Sequence, residues 1–106
     1  MSFQYYEMKV IQWSEARKII PRSKPLAQYQ KLREEVDELG AGLAKQDRAE
    51  TIDAVGDIVV CLINVCALLD LNVTDCLASA YEEIKDRKGY MDEKPDQPHP
   101  AAMPMR

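Results

Sequence analysis

The chain is 106 residues long, with 46% hydrophobic and 30% charged residues, the balance of an ordinary globular domain built on one core. Its net charge of −4 leaves no basic footprint with which to coat DNA or RNA, so no nucleic-acid partner is expected. An acidic balance does suit a site for divalent cations.

Four helices and a tail follow in order. The first is expected from about Tyr5 to Ile20, with Met8, Ile11, Trp13, Ala16 and Ile19/Ile20 turned inward. Residues 21–25 break it, and Pro25 suits the first turn of the second helix. There Leu26, Tyr29, Leu32, Val36, Leu39 and Leu43 step by three or four, an amphipathic stripe of helical period. Gly40 and Gly42 weaken its end. Asp47 reads as the N-cap of a third helix, with Glu50 as reciprocal capping partner. This helix runs to about Leu69 and is apolar on nearly every side beyond Asp57, so it belongs at the centre of a bundle.

Its longest apolar run, Ile58 to Leu69, is broken by Asn64 and too short to cross a bilayer. Residues 1–4 lack the basic and apolar stretches of a signal peptide. Cys61, Cys66 and Cys76 are odd in number and sit in apolar surroundings, as expected of reduced thiols in a cytoplasmic protein with no membrane partner. Thr74 reads as the N-cap of the fourth helix. Leu77, Tyr81 and Ile84 are its buried stripe, Lys85 to Lys88 its basic end, and Gly89 the residue beyond. Four prolines from Asp92 onward mark a tail. The expectation is an all-α four-helix bundle over residues 1–91 and an appendage over 92–106.

The chemistry-bearing residues are acids on the two middle helices. Glu35 and Glu38 are three apart, and Glu35 borders the apolar stripe rather than opposing it. A solvated acidic face, with Lys31 paired to Glu35, would explain this pattern alone. On the third helix Glu50, Asp53, Asp57 and Asn64 line one face of an otherwise apolar surface. A carboxylate at Asp57, among Val55, Gly56, Ile58 and Val59, needs a cation to offset burial. That cation is either a Lys or Arg from another helix, or a divalent metal shared with Glu35 and Glu38, with Gly56 admitting a neighbouring backbone. Hard carboxylate oxygens suit Mg2+. A lone histidine, His99, in the tail and no CxxC leave zinc without ligands, and a di-iron site would want Glu-x-x-His on paired helices.

Three blocks then carry a resemblance: Gln28-x-x-Lys31-Leu32-x-Glu34-Glu35-x-x-Glu38-Leu39, the run from Ile52 to Val60, and the run from Ala80 to Gly89. In this order and spacing they resemble the MazG-like nucleotide pyrophosphohydrolases over roughly residues 8–91, most closely the short single-domain bacterial and phage members. The resemblance implies a bundle of the all-α NTP pyrophosphatase type, assembled as a dimer or a dimer of dimers. It implies hydrolysis of (d)NTPs to (d)NMPs and pyrophosphate with Mg2+, or Mn2+ in its place, held by ExxE on one helix and ExxD on the next. Glu35 and Glu38 match the first pair, and Asp57 closes the second.

Two positions depart from that pattern. Ala54 stands where the family has Glu, which makes Asp53 the expected fourth ligand, with Glu50 the alternative. Glu82 stands where an Asn often precedes Lys85. Within this reading Glu35 or Glu38 orients or deprotonates the attacking water, Asp53 and Asp57 hold metal, and Lys31, Lys85, Arg87 and Lys88 offset phosphate charge or simply serve solubility. Trp13 stacks on a base or packs in the core. Asn64 supports the site from behind or bonds to a partner helix. Phosphoribosyl-ATP pyrophosphohydrolase shares the fold and metal logic and is the second choice; a non-catalytic dimerising bundle is the third.

Overall fold

The structure, a computed structural model, describes residues 1–87. Lys88, Gly89 and the tail over 92–106 lie outside the described residues. The elements are all helical: α1 (Phe3–Ala16), α2 (Ile19–Arg22), α3 (Pro25–Lys45), α4 (Arg48–Leu68) and α5 (Val73–Ile84). The four long helices expected from the sequence are present. A fifth arises because the first stops early: Lys18 turns left-handed at φ 60°, and one turn of α2 follows. Ser2 caps α1 by accepting from the Tyr5 N–H, and Pro25 occupies the first turn of α3.

The connection between α3 and α4 is tight. Left-handed Gln46 ends α3 in a Schellman motif, with the Asp47 N–H donating to the Gly42 carbonyl at 2.9 Å and the Gln46 N–H to Leu43 at 3.2 Å. The same Asp47 then caps α4 through its side chain, which accepts from the Glu50 N–H at 3.0 Å. The reciprocal half of the expected capping box is not made. The Asp47 N–H is already committed to Gly42, and the Glu50 carboxylate turns to Lys45 at 3.5 Å. α4 ends in a second Schellman motif around left-handed Asp70.

Asn72, not Thr74, caps α5, accepting from the Asp75 N–H at 2.8 Å. Thr74 falls in the first turn, and its hydroxyl donates to Glu7 at 2.8 Å; the Val73 N–H also donates to Glu7, at 2.6 Å. Buried Glu7 thus caps α5 from α1 and satisfies a backbone N–H that the helix itself cannot pair.

The centre of the molecule is the antiparallel pair α3/α4, with α1 laid across α4 and α5 touching α1 and α4. The inward face of α1 runs through Glu7, Val10, Ile11 and Ser14; Met8 and Trp13, expected inside, are exposed. Leu26, Tyr29 and Val36 on α3 are likewise exposed, while Leu32, Leu39 and Leu43 are half-buried. Leu77, Tyr81 and Ile84, the expected buried stripe of α5, are 65%, 57% and 50% exposed. The reason is topological: α5 rests on the bundle near its start, and none of the other described residues covers that stripe. By length and composition α4 would reach across a bilayer, beyond the run counted from its sequence. It is instead paired along its length with α3, and it carries Asp53 and Asp57.

Gly42 and Gly40 have opposite roles. A Cβ on Gly42 would stand 2.9 Å from Thr51 Oγ1 and 3.2 Å from the Thr51 nitrogen, whereas one on Gly40 meets open space. Gly56, expected to admit a neighbouring backbone, also faces open space. Gly40→Ala should therefore raise stability by about 0.5–1 kcal/mol through helix propensity alone. Gly42→Ala should lower it by about 1–3 kcal/mol through overpacking at the helix crossing. Urea denaturation midpoints of the two variants check both signs.

Candidate metal centre

Two close contacts fix how α3 and α4 face one another. At the turn, Gly42 lies against Thr51 and Glu50. Near the far end, Asn64 Nδ2 donates to Gln28 Oε1 at 3.3 Å. Seven residues along each helix from the Gln28–Asn64 contact stand Glu35 and Asp57. The heptad spacing keeps all four on the shared face.

Glu35 is the buried member, 5% exposed. Its Oε1 pairs with Lys31 Nζ at 3.3 Å, while its Oε2 is buried and has no hydrogen-bond partner. Leaving such an oxygen unsatisfied costs at least about 1–3 kcal/mol. Glu38 on α3 and half-buried Asp57 on α4 complete a group in which one carboxylate oxygen from each residue lies within 4.8 Å of the others. Two oxygens on opposite sides of an octahedral Mg2+ stand about 4.2 Å apart. The orphaned oxygen, the hard donor set and this spacing fit a divalent cation.

The charges respond accordingly. Glu35, to which a protonated Glu38 can donate a hydrogen bond, and then its negative charge raise the Glu38 carboxyl above the ordinary range. Burial, then the charges of Asp53 and Glu35, raises Asp57. The Lys31 ammonium is held up by its hydrogen bond to Glu35 and by that residue's charge. Buried Cys61, one turn beyond Asp57, has its thiol raised first by burial and then by Glu35.

Lys31, Glu35, Glu38 and Asp57 are thus brought together. Asp53 is exposed and lies outside the three-carboxylate group, although its charge reaches Asp57. Ala54 is 1% exposed, packed in the α3/α4 crossing. Glu50 sits at the turn, its backbone capped and its carboxylate paired. Lys85 pairs with Glu82 of its own helix at 2.7 Å, and Arg87 lies just past α5. Trp13 is 45% exposed with the Arg17 guanidinium 4.4 Å over its ring, so it is not a core residue of the single chain.

Sequence reasoning missed Glu7 and Ser14, the two buried residues of α1, and the proximity of Cys61 to the acids. A seven-residue spacing of polar residues on α1, matching that of Asp57 and Asn64 on α4, is the signal that could have found the first two.

The fold and site define a class: an all-α bundle with a carboxylate cluster poised for a divalent cation between two antiparallel helices. Residues 11–88 match the family described as phosphoribosyl-ATP pyrophosphohydrolase, and the chain belongs to that family, within the same superfamily as the MazG-like proteins. The match falls on the second choice of the sequence reading and leaves the MazG-like subgroup unassigned. Comparison with curated proteins and with solved structures gives no match.

The raised carboxyls give a pH dependence with a definite sign. Glu38 and Asp57 hold protons more readily in the folded than in the unfolded chain. Their contribution to stability is full below the ordinary carboxylate values of about 3.9–4.3, and is lost as pH rises through the raised folded values. A cation needs the ionised forms and reverses this loss. The increase in Tm on adding Mg2+ should therefore grow as pH rises through the carboxylate range and level off toward neutrality. Asp57→Asn should raise the Tm of the metal-free protein at neutral pH and abolish the Mg2+ increment. Differential scanning calorimetry with and without Mg2+ reads both.

Proposed function

We propose that this protein is a Mg2+-dependent pyrophosphohydrolase that splits nucleoside triphosphates, (d)NTP plus water, into (d)NMP and pyrophosphate. The observation that carries this reading is Glu35 Oε2, buried and unpartnered beside the carboxylates of Glu38 and Asp57. Glu35, Glu38 and Asp57 would hold the ion, with Asp53 joining from the adjacent turn. When bound, Mg2+, or Mn2+ in its place, supplies charge to offset the triphosphate and lowers the pKa of a water.

The protein's own groups supply the rest. Glu38 is exposed and its carboxyl is raised, which suits a group that orients the attacking water and takes its proton. Lys31 is anchored beside Glu35 yet largely exposed, so its ammonium can turn to a phosphate oxygen. Lys85 and Arg87 after the end of α5, with Lys88 next in sequence, are further phosphate contacts, and exposed Trp13 offers a face to a base.

The working unit in this reading is a homodimer or homotetramer in the cytoplasm. Ala54, Cys61 and Ile63 are the buried hydrophobic residues among the described ones, too few for a self-sufficient core. Ile52, Val55, Val59 and Leu62 form a three-four-three stripe on the open side of α4, and α5 leaves its own stripe bare. A second copy would cover both.

The family match favours a second substrate, phosphoribosyl-ATP, whose triphosphate would be cleaved at the same α–β bond. A pyrophosphate-release screen over the eight common NTPs and dNTPs together with phosphoribosyl-ATP separates the two. The expected result is turnover of at least one NTP or dNTP in Mg2+; turnover of phosphoribosyl-ATP alone selects the second reading, and no release from any compound overturns both. Glu38→Gln and Asp57→Asn should each lower the rate by about 10²-fold or more. Sedimentation should give a mass of at least twice the 12.1 kDa chain.

A further inference from the structure

Asn64 is a buried amide, 3% exposed, with partners on two sides. Its Oδ1 accepts from Ser14 Oγ at 2.6 Å, and its Nδ2 donates to Gln28 Oε1 at 3.3 Å. Gln28 Nε2 donates in turn to Ser23 Oγ at 3.0 Å. One chain of hydrogen bonds therefore joins α1, α4, α3 and Ser23 in the link between α2 and α3. Placing two buried and two half-buried polar side chains where apolar ones would pack is a poor route to stability, since such networks gain little over well-packed hydrocarbon. What a buried amide does supply is register. Leu32, Leu39 and Leu43 on α3 are near-equivalent knobs that do not say which turn of α4 they should meet, whereas an amide pair has a single satisfied alignment.

We infer that Asn64 and Gln28 are positioning residues for the carboxylate layer: their bond sets the register of α3 against α4 that brings Glu35 opposite Asp57. Glu35 follows Gln28, and Asp57 precedes Asn64, by seven residues, about 10.5 Å along each axis. A slip of one helical turn, about 5.4 Å, would part the amides and the carboxylates together. Gly42 holds the turn end of the pair but, being a close contact without directionality, tolerates the small axial shifts that an amide bond does not.

The inference rests on the metal reading above, and its test separates the two. Asn64→Leu, Gln28→Leu and the double variant are compared with the wild-type chain by calorimetric titration with Mg2+, and with Mn2+, in the absence of nucleotide; thermal melts are followed by circular dichroism. Ser14, left without its acceptor, can bond back to its own helix carbonyl, so the single variants should melt within a few degrees of wild type. Each should nevertheless bind Mg2+ at least tenfold more weakly, and the double variant no more weakly than the worse single, as expected when both changes break one contact. Should Asn64→Leu not fold, Gln28→Leu, at a half-buried position, carries the comparison alone. Wild-type Mg2+ affinity in the folded variants overturns the positioning role while leaving the metal reading intact. A wild-type chain that takes up neither ion overturns both. Metal uptake without any nucleotide hydrolysis overturns the enzymatic reading and leaves the positioning role standing.

Discussion

Gly42 lets α3 and α4 meet at their turn, and fourteen residues back along α3 Gln28 finds Asn64. Between these contacts the two helices have one alignment, and the other features of the molecule are hung from it. Glu35 is buried because α4 lies over it, and it lacks a partner for Oε2 because α4 offers Asp57 at that level rather than a donor. The site is thus a deliberate mismatch. Like charges are set together in a partly desolvated layer, with one ammonium among the described residues, Lys31, too few to neutralise them. Structures tolerate such a local penalty where a ligand removes it, and regions of this kind concentrate at functional sites.

The remaining helices stabilise the pair without enclosing it. α1 touches α4 through Ser14 and reaches α5 through Glu7, so both of its buried side chains are polar and both are satisfied. This inverts the usual arrangement, in which a short amphipathic helix offers aliphatics inward. Its consequence is that α1 is placed by hydrogen-bond geometry more than by shape, since polar contacts specify an orientation that apolar surfaces leave free.

Much of this was legible in the sequence for identifiable reasons. The cap at Asp47, Pro25 in the first turn of α3, the all-helical class and the grouping of Glu35, Glu38 and Asp57 all follow from period and spacing, which local chemistry enforces. Where reading failed, a non-local contact decided. Thr74 looks like a cap until Glu7 claims its hydroxyl from 67 residues away. Met8 and Trp13 look like core residues until Ser14 is drawn to Asn64, which rotates α1. Leu77, Tyr81 and Ile84 do form an apolar stripe, but a stripe shows only that a surface wants covering, not which surface covers it. Asp53 and Ala54 show the finest limit. One step along a helix turns a side chain by about 100°, which separates an exposed acid from a packed methyl.

The attachment of α5 has a mechanical meaning. The helix is pinned at its first turn, where Glu7 holds Val73 and Thr74, and the rest of its length is left bare by the other described residues. It is a lever with a fulcrum at one end. Twelve residues span about 18 Å, so a tilt of about 10° at the pin swings the far end by about 3 Å. Lys85 and Arg87 ride on that end. Their reach is therefore governed less by their own side chains than by the tilt of α5, and any surface that came to settle against Leu77, Tyr81 and Ile84 would place those charges as it docked.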